Sequence, residues 1–153
     1  MSRLVAMSDV VRTRAQRKAD TLARLAAPVV DAWVATDGPY LVPLTVAWHE
    51  DRIVLATDRE SPTARSLIAT GRARVGLGPT RDVIMIDTVL DRWLPVSEAP
   101  GIGEAYAGQN DWDPRTAGPS YIFLILRPDR VQAWREVDEI RGRTLMRDGA
   151  WLI

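Results

Sequence analysis

The sequence of 153 residues contains no cysteine, a single histidine and a single lysine, and each scarcity excludes a class of chemistry. Without cysteine there is no disulfide, no thiolate metal ligand and no cysteine nucleophile. The lone histidine, His49, cannot build a multi-histidine metal site by itself. We therefore expect no metal site, and the sequence identifies no catalytic residues.

The sequence also lacks an excess of charge of either sign and any long apolar run. Its 20 basic residues are balanced by 20 acidic residues, so the net charge at pH 7 is zero. A balanced chain has no general attraction for nucleic acid or for an anionic membrane. No apolar stretch approaches the roughly 18 residues of a membrane span, and the N-terminus has no signal-peptide core. We predict a cytoplasmic protein without nucleic-acid or membrane partners.

The most informative stretch, residues 55–67, indicates a strand end, a polar loop and the first turn of a helix. Ser61 is a favourable N-cap, and Pro62 suits the first helical position, where an N–H would have no partner. The hydroxyl groups of Ser61 and Thr63 and the guanidinium of Arg65 then converge with free backbone N–H groups. This is the chemistry of a phosphate site. Equally, Ser61 can be an ordinary cap and Arg65 a solvated helix residue.

Residues 1–28 predict a surface helix. Ser8 or Asp9 can cap it, and Pro28 ends it after Ala27. Basic side chains cover most of its surface, and only a thin apolar stripe is available for packing. That stripe consists of Val11, Ala15, Ala19, Leu22 and Ala26. We expect the helix to lie on the main domain, residues 29–153, or on a partner subunit.

The residue pattern of the main domain is typical of short antiparallel strands separated by turns. A hairpin is predicted around Asp37-Gly38-Pro39, joining strands at 29–36 and 40–48. Two more hairpins are predicted, around Pro128-Asp129 and at Asp148-Gly149. About six to eight strands with a few inserted helices predict an antiparallel barrel.

Two further features are left open by the sequence. Asp87 interrupts the most apolar strand, 83–90, and either marks its solvent side or is paired inside a polar pocket. Residues 97–110 are a helix candidate, which Pro100 and two glycines weaken.

The order and spacing of these stretches resemble the flavin-binding split β-barrel family, which includes pyridoxamine 5′-phosphate oxidases and deazaflavin-dependent reductases. The resemblance is carried by residues 36–44, 55–67 and 71–75, and residues 130–135 and 142–149 resemble actinobacterial members. It implies a mainly β, antiparallel Greek-key barrel with peripheral helices, assembled as a homodimer. Because six tryptophans exceed the need of one small core, Trp134 and Trp151 are predicted interface residues.

In that family the strand-to-helix loop holds the phosphate of FMN or of the deazaflavin coenzyme F-420. The resemblance implies a phosphate site formed by Thr57, Ser61, Thr63 and Arg65. It implies that the ring is bordered by Pro43, Leu44 and Thr45. FMN-using oxidases tend to have a lysine near position 63, and its absence favours F-420 slightly, because a phosphodiester needs less positive charge. Arg59 or Arg81 can supply the missing charge.

The resemblance further implies hydride transfer between the bound cofactor and a small organic substrate. That activity fits a chain with no convincing acid–base pair and no Gly-x-Ser-x-Gly sequence. The alternative is a non-catalytic protein that binds flavin, deazaflavin or haem on the same barrel. In the haem case His49 is the only histidine available as a ligand.

Overall fold

The computed structural model describes residues 10–153, which contain eight β-strands and three α-helices. The strands are β1 (Val30–Thr36), β2 (Tyr40–His49), β3 (Arg52–Asp58), β4 (Arg72–Leu77), β5 (Val83–Pro95), β6 (Tyr121–Trp134), β7 (Thr144–Arg147) and β8 (Ala150–Trp151). The helices are α1 (Arg14–Leu25), α2 (Pro62–Thr70) and α3 (Pro100–Gln109). Short 3-10 helices lie at Val96–Glu98, Pro114–Thr116 and Val137–Glu139.

The first six strands close into an antiparallel barrel. Their order is β3-β2-β1-β4-β5-β6, and β6 pairs back with β3. Closure leaves the barrel strands without a long free edge. The β7–β8 hairpin extends the sheet from β6. The predicted mainly β barrel with peripheral helices is confirmed.

The alternation of side chains along the strands produces two separate apolar cores. Alternate residues of β1 from Val30 to Thr36 are buried, whereas Trp33 between them is exposed. The larger core fills the barrel. The smaller one lies on the outer face of β2, β3 and β6, where Tyr106 of α3 packs against Phe123.

The longest strand, β6, corrects one prediction. The Pro128-Asp129 pair predicts a hairpin, but residues 121–134 form one continuous strand. Its first half pairs with β3 and its whole length with β5. Pro128 has no N–H to donate, and it lies opposite Thr88 at a register shift in the β5–β6 ladder. Barrel closure therefore overrides the local turn preference.

Helix α1 begins later than predicted. The predicted caps, Ser8 and Asp9, lie outside the described residues. Thr13 caps the helix, and its hydroxyl oxygen accepts the Gln16 N–H at 3.1 Å. The helix ends at Leu25, close to the predicted end.

The buried side of α1 is largely polar, so the predicted apolar stripe is wrong. Arg17 is 4% exposed and donates to the carbonyl oxygens of Ala133 and Glu139, both at 3.1 Å. Thr21 and Leu25 are the other buried residues of the helix. The helix lies where unpaired carbonyl groups at the end of β6 need donors, and a guanidinium supplies several at once. Four stripe residues are exposed: Val11, Ala15, Ala19 and Ala26.

A buried ionic cluster fastens the beginning of α1 to the barrel. Glu139, 1% exposed, accepts the Arg12 N–H at 2.9 Å, an Arg12 guanidinium N–H at 2.8 Å and the Arg135 N–H at 2.9 Å. Burial alone would raise the pKa of Glu139, but these donors lower it to about 2. Arg12 also pairs with Asp20 at 3.1 Å. We call Arg12, Arg17, Asp20, Arg135 and Glu139 the Glu139 cluster.

The end of α3 supplies hydrogen-bond acceptors to β2 and β1 where the pairing between these two strands ends. The Trp48 N–H donates to the Gln109 side chain at 2.8 Å, and the Val30 N–H donates to Asn110 at 3.3 Å. In place of the single predicted helix over 97–110, the structure has a 3-10 turn followed by α3.

Within residues 10–153 no helix is long and apolar enough to cross a membrane.

Candidate cofactor site

The junction between β3 and α2 has the predicted conformation. Ser61 is the N-cap, and its hydroxyl oxygen accepts the Ala64 N–H at 3.2 Å. Pro62 occupies the first helical position. Gly71 ends the helix with a φ of 75°, a left-handed conformation that glycine adopts without strain.

Asp58, which sequence reasoning missed, holds the loop before α2. One carboxylate oxygen accepts the Glu60 N–H at 2.8 Å and the other accepts the Ser120 hydroxyl at 2.5 Å. The hydrogen bond from Ser120, followed by that from Glu60, lowers the pKa of Asp58. An aspartate at a turn whose side chain accepts the N–H two residues on is an Asx turn, and that local signal was available in the sequence. The loop is therefore ordered by its own side chains.

A few donors at the junction have no partner within residues 10–153. Ser61 Oγ already accepts from Thr57 at 3.2 Å and from Ala64, so its own hydrogen is free to be donated. The Arg65 N–H makes the first helical bond, to the Ser61 carbonyl at 3.0 Å. This leaves the Ser61 hydroxyl hydrogen, the Thr63 N–H and the Arg65 guanidinium. Thr63 itself is only 3% exposed.

The cationic groups differ in availability. Arg65 is exposed and forms no salt bridge with any described residue. Arg59 lies over the ring of Trp93, with 4.8 Å from its guanidinium carbon to the ring centroid. Arg81 is held by both carboxylate oxygens of Glu136, at 3.0 Å each. Of the two arginines suggested for the missing charge, Arg81 is therefore already paired.

The barrel is split next to this junction. β2 pairs with β3 only from Val46↔Leu55 to His49↔Arg52, so the first half of β2 has no β3 partner. Continuing the same register brings Leu44 opposite Thr57. Leu44 packs against the barrel core, whereas Pro43 points to the outer face and is exposed. The predicted ring-bordering residues and the predicted phosphate residues thus lie on the two sides of this unpaired segment, which we call the gap.

The backbone of β2 at this gap is supported from outside. The Tyr106 hydroxyl donates to the Thr45 carbonyl at 2.8 Å, and the Thr45 hydroxyl donates to Asp31 at 2.8 Å. Burial raises the pKa of Tyr106, so its hydroxyl stays protonated and remains a donor. Sequence reasoning did not identify Tyr106, because no local pattern links α3 to β2.

The outer face of the barrel carries an exposed apolar area. Trp33 is 53% exposed and lies between Pro43 of β2 and Gly76 of β4, and Leu41 is 59% exposed. Met85 of β5 is the cross-strand partner of Gly76. We call these five residues the Trp33 face.

The two tryptophans predicted for an interface are less available than Trp33. Trp134 and Trp151 are half-buried. The guanidinium carbon of Arg143 lies 5.7 Å from the ring centroid of Trp134, and Lys18 Nζ lies 5.0 Å from that of Trp151.

The structure also places the two polar residues whose roles the sequence left open. Asp87 lies on the outer face and is paired with Arg74 at 2.6 Å. His49 is the last residue of β2, at the end far from the Asp37-Gly38-Pro39 turn. Its Nε2 lies 3.8 Å from Glu50. Neither residue lies at the junction.

No family model matches this chain, and no match is found among curated proteins. Solved structures do match. A haem-binding protein from Mycobacterium smegmatis aligns with a TM-score of 0.64 and 19% identity, over 92% of this chain and 60% of that chain. A Listeria innocua protein provisionally assigned as a pyridoxamine 5′-phosphate oxidase aligns with a TM-score of 0.58 and 16% identity, over 78% and 98%. An F420 reductase aligns with a TM-score of 0.56 and 14% identity, over 71% and 93%.

These likenesses establish the fold of the chain. It is a split β-barrel with the fold of the matched pyridoxamine 5′-phosphate oxidase-like structure, as the sequence predicts. Identities of 14–19% define the architecture and not the activity.

Proposed function

We propose that the protein binds F-420 or FMN in the gap between β2 and β3 and transfers hydride between this cofactor and a small organic substrate. The observation that carries the proposal is the juxtaposition of the split with a helix start whose guanidinium, Arg65, has no protein partner among the described residues. Fold likeness to an F420 reductase supports the same class of cofactor.

The residues present suit a phosphate group. The Ser61 hydroxyl, the Thr63 N–H and the Arg65 guanidinium would hold it, while Thr57 orients Ser61. Pro43, Leu44 and Thr45 would border the ring. When bound, the cofactor supplies the hydride chemistry, and the protein binds and orients it.

The charge available at the junction favours F-420 over FMN. Arg65 is the one guanidinium of the predicted phosphate site, and Arg59 is stacked on Trp93. A phosphodiester carries one negative charge, whereas the phosphomonoester of FMN carries about two at neutral pH. A single free guanidinium therefore balances the one charge of the diester, whereas it leaves about one charge of the monoester uncompensated.

Assembly as a two-fold homodimer is part of this proposal. The Trp33 face supplies the exposed apolar surface that an isologous interface needs. It contains Pro43 and so adjoins the gap, which a second subunit would enclose. We further propose that the protein acts in the cytoplasm, without nucleic-acid or membrane partners.

The second candidate function is non-catalytic binding of flavin, deazaflavin or haem. The fold likeness to a haem-binding protein supports the haem variant.

Spectroscopic titration distinguishes these candidates. We expect F-420 and FMN to bind at one competitive site, with F-420 the tighter ligand. A bound cofactor that NAD(P)H or a reduced-deazaflavin system cannot reduce would favour the binding protein. A Soret band with added haem, lost in His49→Ala, would favour the haem variant. Absence of binding for both F-420 and FMN would reject the proposed function. Light scattering tests the assembly, since Trp33→Ser is expected to yield monomers.

A further inference from the structure

A cavity with an unbalanced positive charge lies between the start of α1, the end of β6 and the chain around β7. Its volume is about 530 Å³, and volumes of about 300–1,000 Å³ are usual for small-molecule sites. Among the described residues that line it there is no aspartate or glutamate, whereas four are arginines: Arg14, Arg141, Arg143 and Arg147. Because the whole chain has no net charge, this excess is local. We call the site the arginine cavity.

Two of these guanidiniums are held in place by backbone carbonyl groups. Arg14 donates to the carbonyl oxygens of Gly142 at 3.1 Å and of Thr144 at 2.7 Å. Arg143 donates to the carbonyl oxygen of Ile140 at 3.2 Å. A carbonyl oxygen orients a guanidinium but does not neutralise it, since the carbonyl group carries no net charge. Both side chains are therefore fixed in position with their positive charge uncompensated.

The other two arginines of the cavity, Arg141 and Arg147, have no side-chain partner within residues 10–153. Both are exposed, and neither forms a salt bridge or a side-chain hydrogen bond with a described residue. The nearby carboxylates do not balance them, because Glu139 is buried and paired within the Glu139 cluster. Asp138 and Asp148 do not line the cavity. Four positive charges thus share one concave surface without a counter-charge in it.

A hydroxyl group adds a neutral donor to the cavity. The Thr144 hydroxyl oxygen accepts from Gln132 at 3.0 Å, and no described residue accepts the hydrogen of this hydroxyl. Beside Leu152 of the lining, Lys18 donates to the oxygen of Ile153 at 2.7 Å, so this oxygen is already paired. The cavity therefore offers hydrogen-bond donors and positive charge and lacks a free ionised acceptor.

We propose that the arginine cavity binds a compact polyanion of two or three linked phosphate groups, either free or as part of a nucleotide. Guanidinium forks match pairs of phosphate oxygens, and linked phosphates place several negative charges within one small volume. A single carboxylate would leave most of the positive charge uncompensated. An extended nucleic-acid strand needs a long basic surface, which a chain without net charge does not favour. The cavity shares no lining residue with the gap, so this inference does not depend on the proposed cofactor.

The probe is inorganic triphosphate in magnesium-free buffer at neutral pH, with binding followed by calorimetry. We expect it to bind at least about tenfold more tightly than orthophosphate, because more of its oxygens pair with guanidiniums at once. Adenosine triphosphate distinguishes the sources: an equal or lower affinity supports a free polyphosphate, and a higher affinity supports a nucleotide. Equal affinities for triphosphate and orthophosphate would overturn the proposal. So would tighter binding of a short single-stranded RNA at equal phosphate concentration, which would indicate a nucleic-acid surface.

The two exposed arginines are the positions to change, because neither supports the fold. Arg141→Gln and Arg147→Gln should each lower the affinity for triphosphate about fivefold, the size of a partly exposed ion pair. Arg92→Gln is the matched control, since Arg92 is also exposed and forms no salt bridge within residues 10–153, but lies on β5 outside the cavity. It should leave the affinity unchanged. Equal losses in all three variants would show a general charge effect and would reject the site.

Modification of arginine by phenylglyoxal, read by mass spectrometry, tests the location. Bound triphosphate should protect Arg141 and Arg147 from the reagent and leave Arg92 as reactive as before. Protection of Arg65 alone, or loss of triphosphate binding in Arg65→Gln, would place the ion at the cofactor junction and overturn the proposal. Failure of F-420 and FMN to bind, with intact protection of Arg141 and Arg147, would reject the proposed function and leave the arginine cavity standing.

Discussion

The Glu139 cluster and the β3–α2 junction both rely on arginine, yet they use it in opposite ways. In the cluster, Arg17 is 4% exposed and bonded to backbone carbonyl groups, and Arg12 is bonded to buried Glu139. At the junction, Arg65 is exposed and has no partner among the described residues. The cluster replaces apolar packing beneath α1, whereas Arg65 contributes nothing visible to the fold. The available partners, and not the residue type, separate a structural arginine from the one that we propose binds the cofactor.

The largest expected effect is on the structural side of this comparison. Glu139→Gln removes the buried carboxylate that holds Arg12 and leaves Arg12 only the more exposed Asp20 and Asp82 as counter-charges, so we expect the free energy of unfolding to fall by about 3 kcal/mol. Glu136→Gln is the matched control, because Glu136 pairs with Arg81 on the surface, where solvent screens the pair, and its loss should cost far less. Urea denaturation at pH 7 measures both. Equal costs would show that the cluster is no more important than a surface pair.

The next effect is the pH dependence of stability. The pKa of Glu139 is lowered from 4.5 to about 2 in the folded protein. The unfolded chain therefore binds a proton first, and the stabilisation by Glu139 is fully present above pH 4.5 and lost as the pH falls towards 2. Denaturation curves across this range should show a steeper loss for the native sequence than for Glu139→Gln. Parallel curves for the two proteins would contradict the assignment.

A smaller effect is expected on the binding side. Arg65→Ala should weaken cofactor binding roughly ten- to a hundredfold, the loss of a charge-assisted contact of about 1.5–3 kcal/mol. The unfolding free energy should change by only a few tenths of a kcal/mol, about the difference in helix propensity. Arg65→Lys should recover part of the affinity, since lysine retains the charge but not the planar fork.

Titration with F-420 and FMN, accompanied by thermal melts of the apo proteins, measures the effect of Arg65. Arg72→Ala, at the start of β4, removes an arginine that is already paired with Asp37 at 3.0 Å, so it is the control and should leave the affinity unchanged. Unchanged affinity in Arg65→Ala for both cofactors would remove the phosphate site from this account.

The smallest effect concerns the choice of cofactor. Thr63→Lys adds the second cation that a phosphomonoester needs and should improve FMN binding by about fivefold. Because Thr63 is 3% exposed, the lysine must extend its ammonium group to solvent, and some loss of stability is expected. Ala69→Lys, an exposed change near the end of the same helix, controls for a general charge effect. Tighter binding of FMN than of F-420 by the native protein would show that another arginine already fills this role.

Local signals in the sequence were sufficient for the junction and for two of the three predicted hairpins. Ser61 and Pro62 predict the helix start, and Asp148-Gly149 predicts a hairpin whose two turn residues have φ values of 51° and 77°. The split beside the junction follows from the register between β2 and β3, which no local pattern encodes. Only the family resemblance linked Leu44 to Thr57.

Long-range partners explain what the sequence did not predict. The polar side of α1 depends on Glu139, which lies 127 residues from Arg12 in the chain. Pro128-Asp129 has strong turn chemistry, and only pairing with β5 and β3 keeps it within a strand. The cap of α1 was misplaced because Thr13, Ser8 and Asp9 are all acceptable N-cap residues.

The position of β6 in the chain has a consequence for biosynthesis. The barrel closes only when residues 121–126 pair with 53–58, so a nascent chain cannot close the barrel until β6 has emerged from the ribosome. At about 5–20 residues per second, the interval between the synthesis of β3 and that of β6 lasts several seconds. During that time the free backbone edge of β3 is exposed to other chains. We expect chaperone dependence and aggregation during expression to be decided in this interval, and truncations before residue 134 to be insoluble.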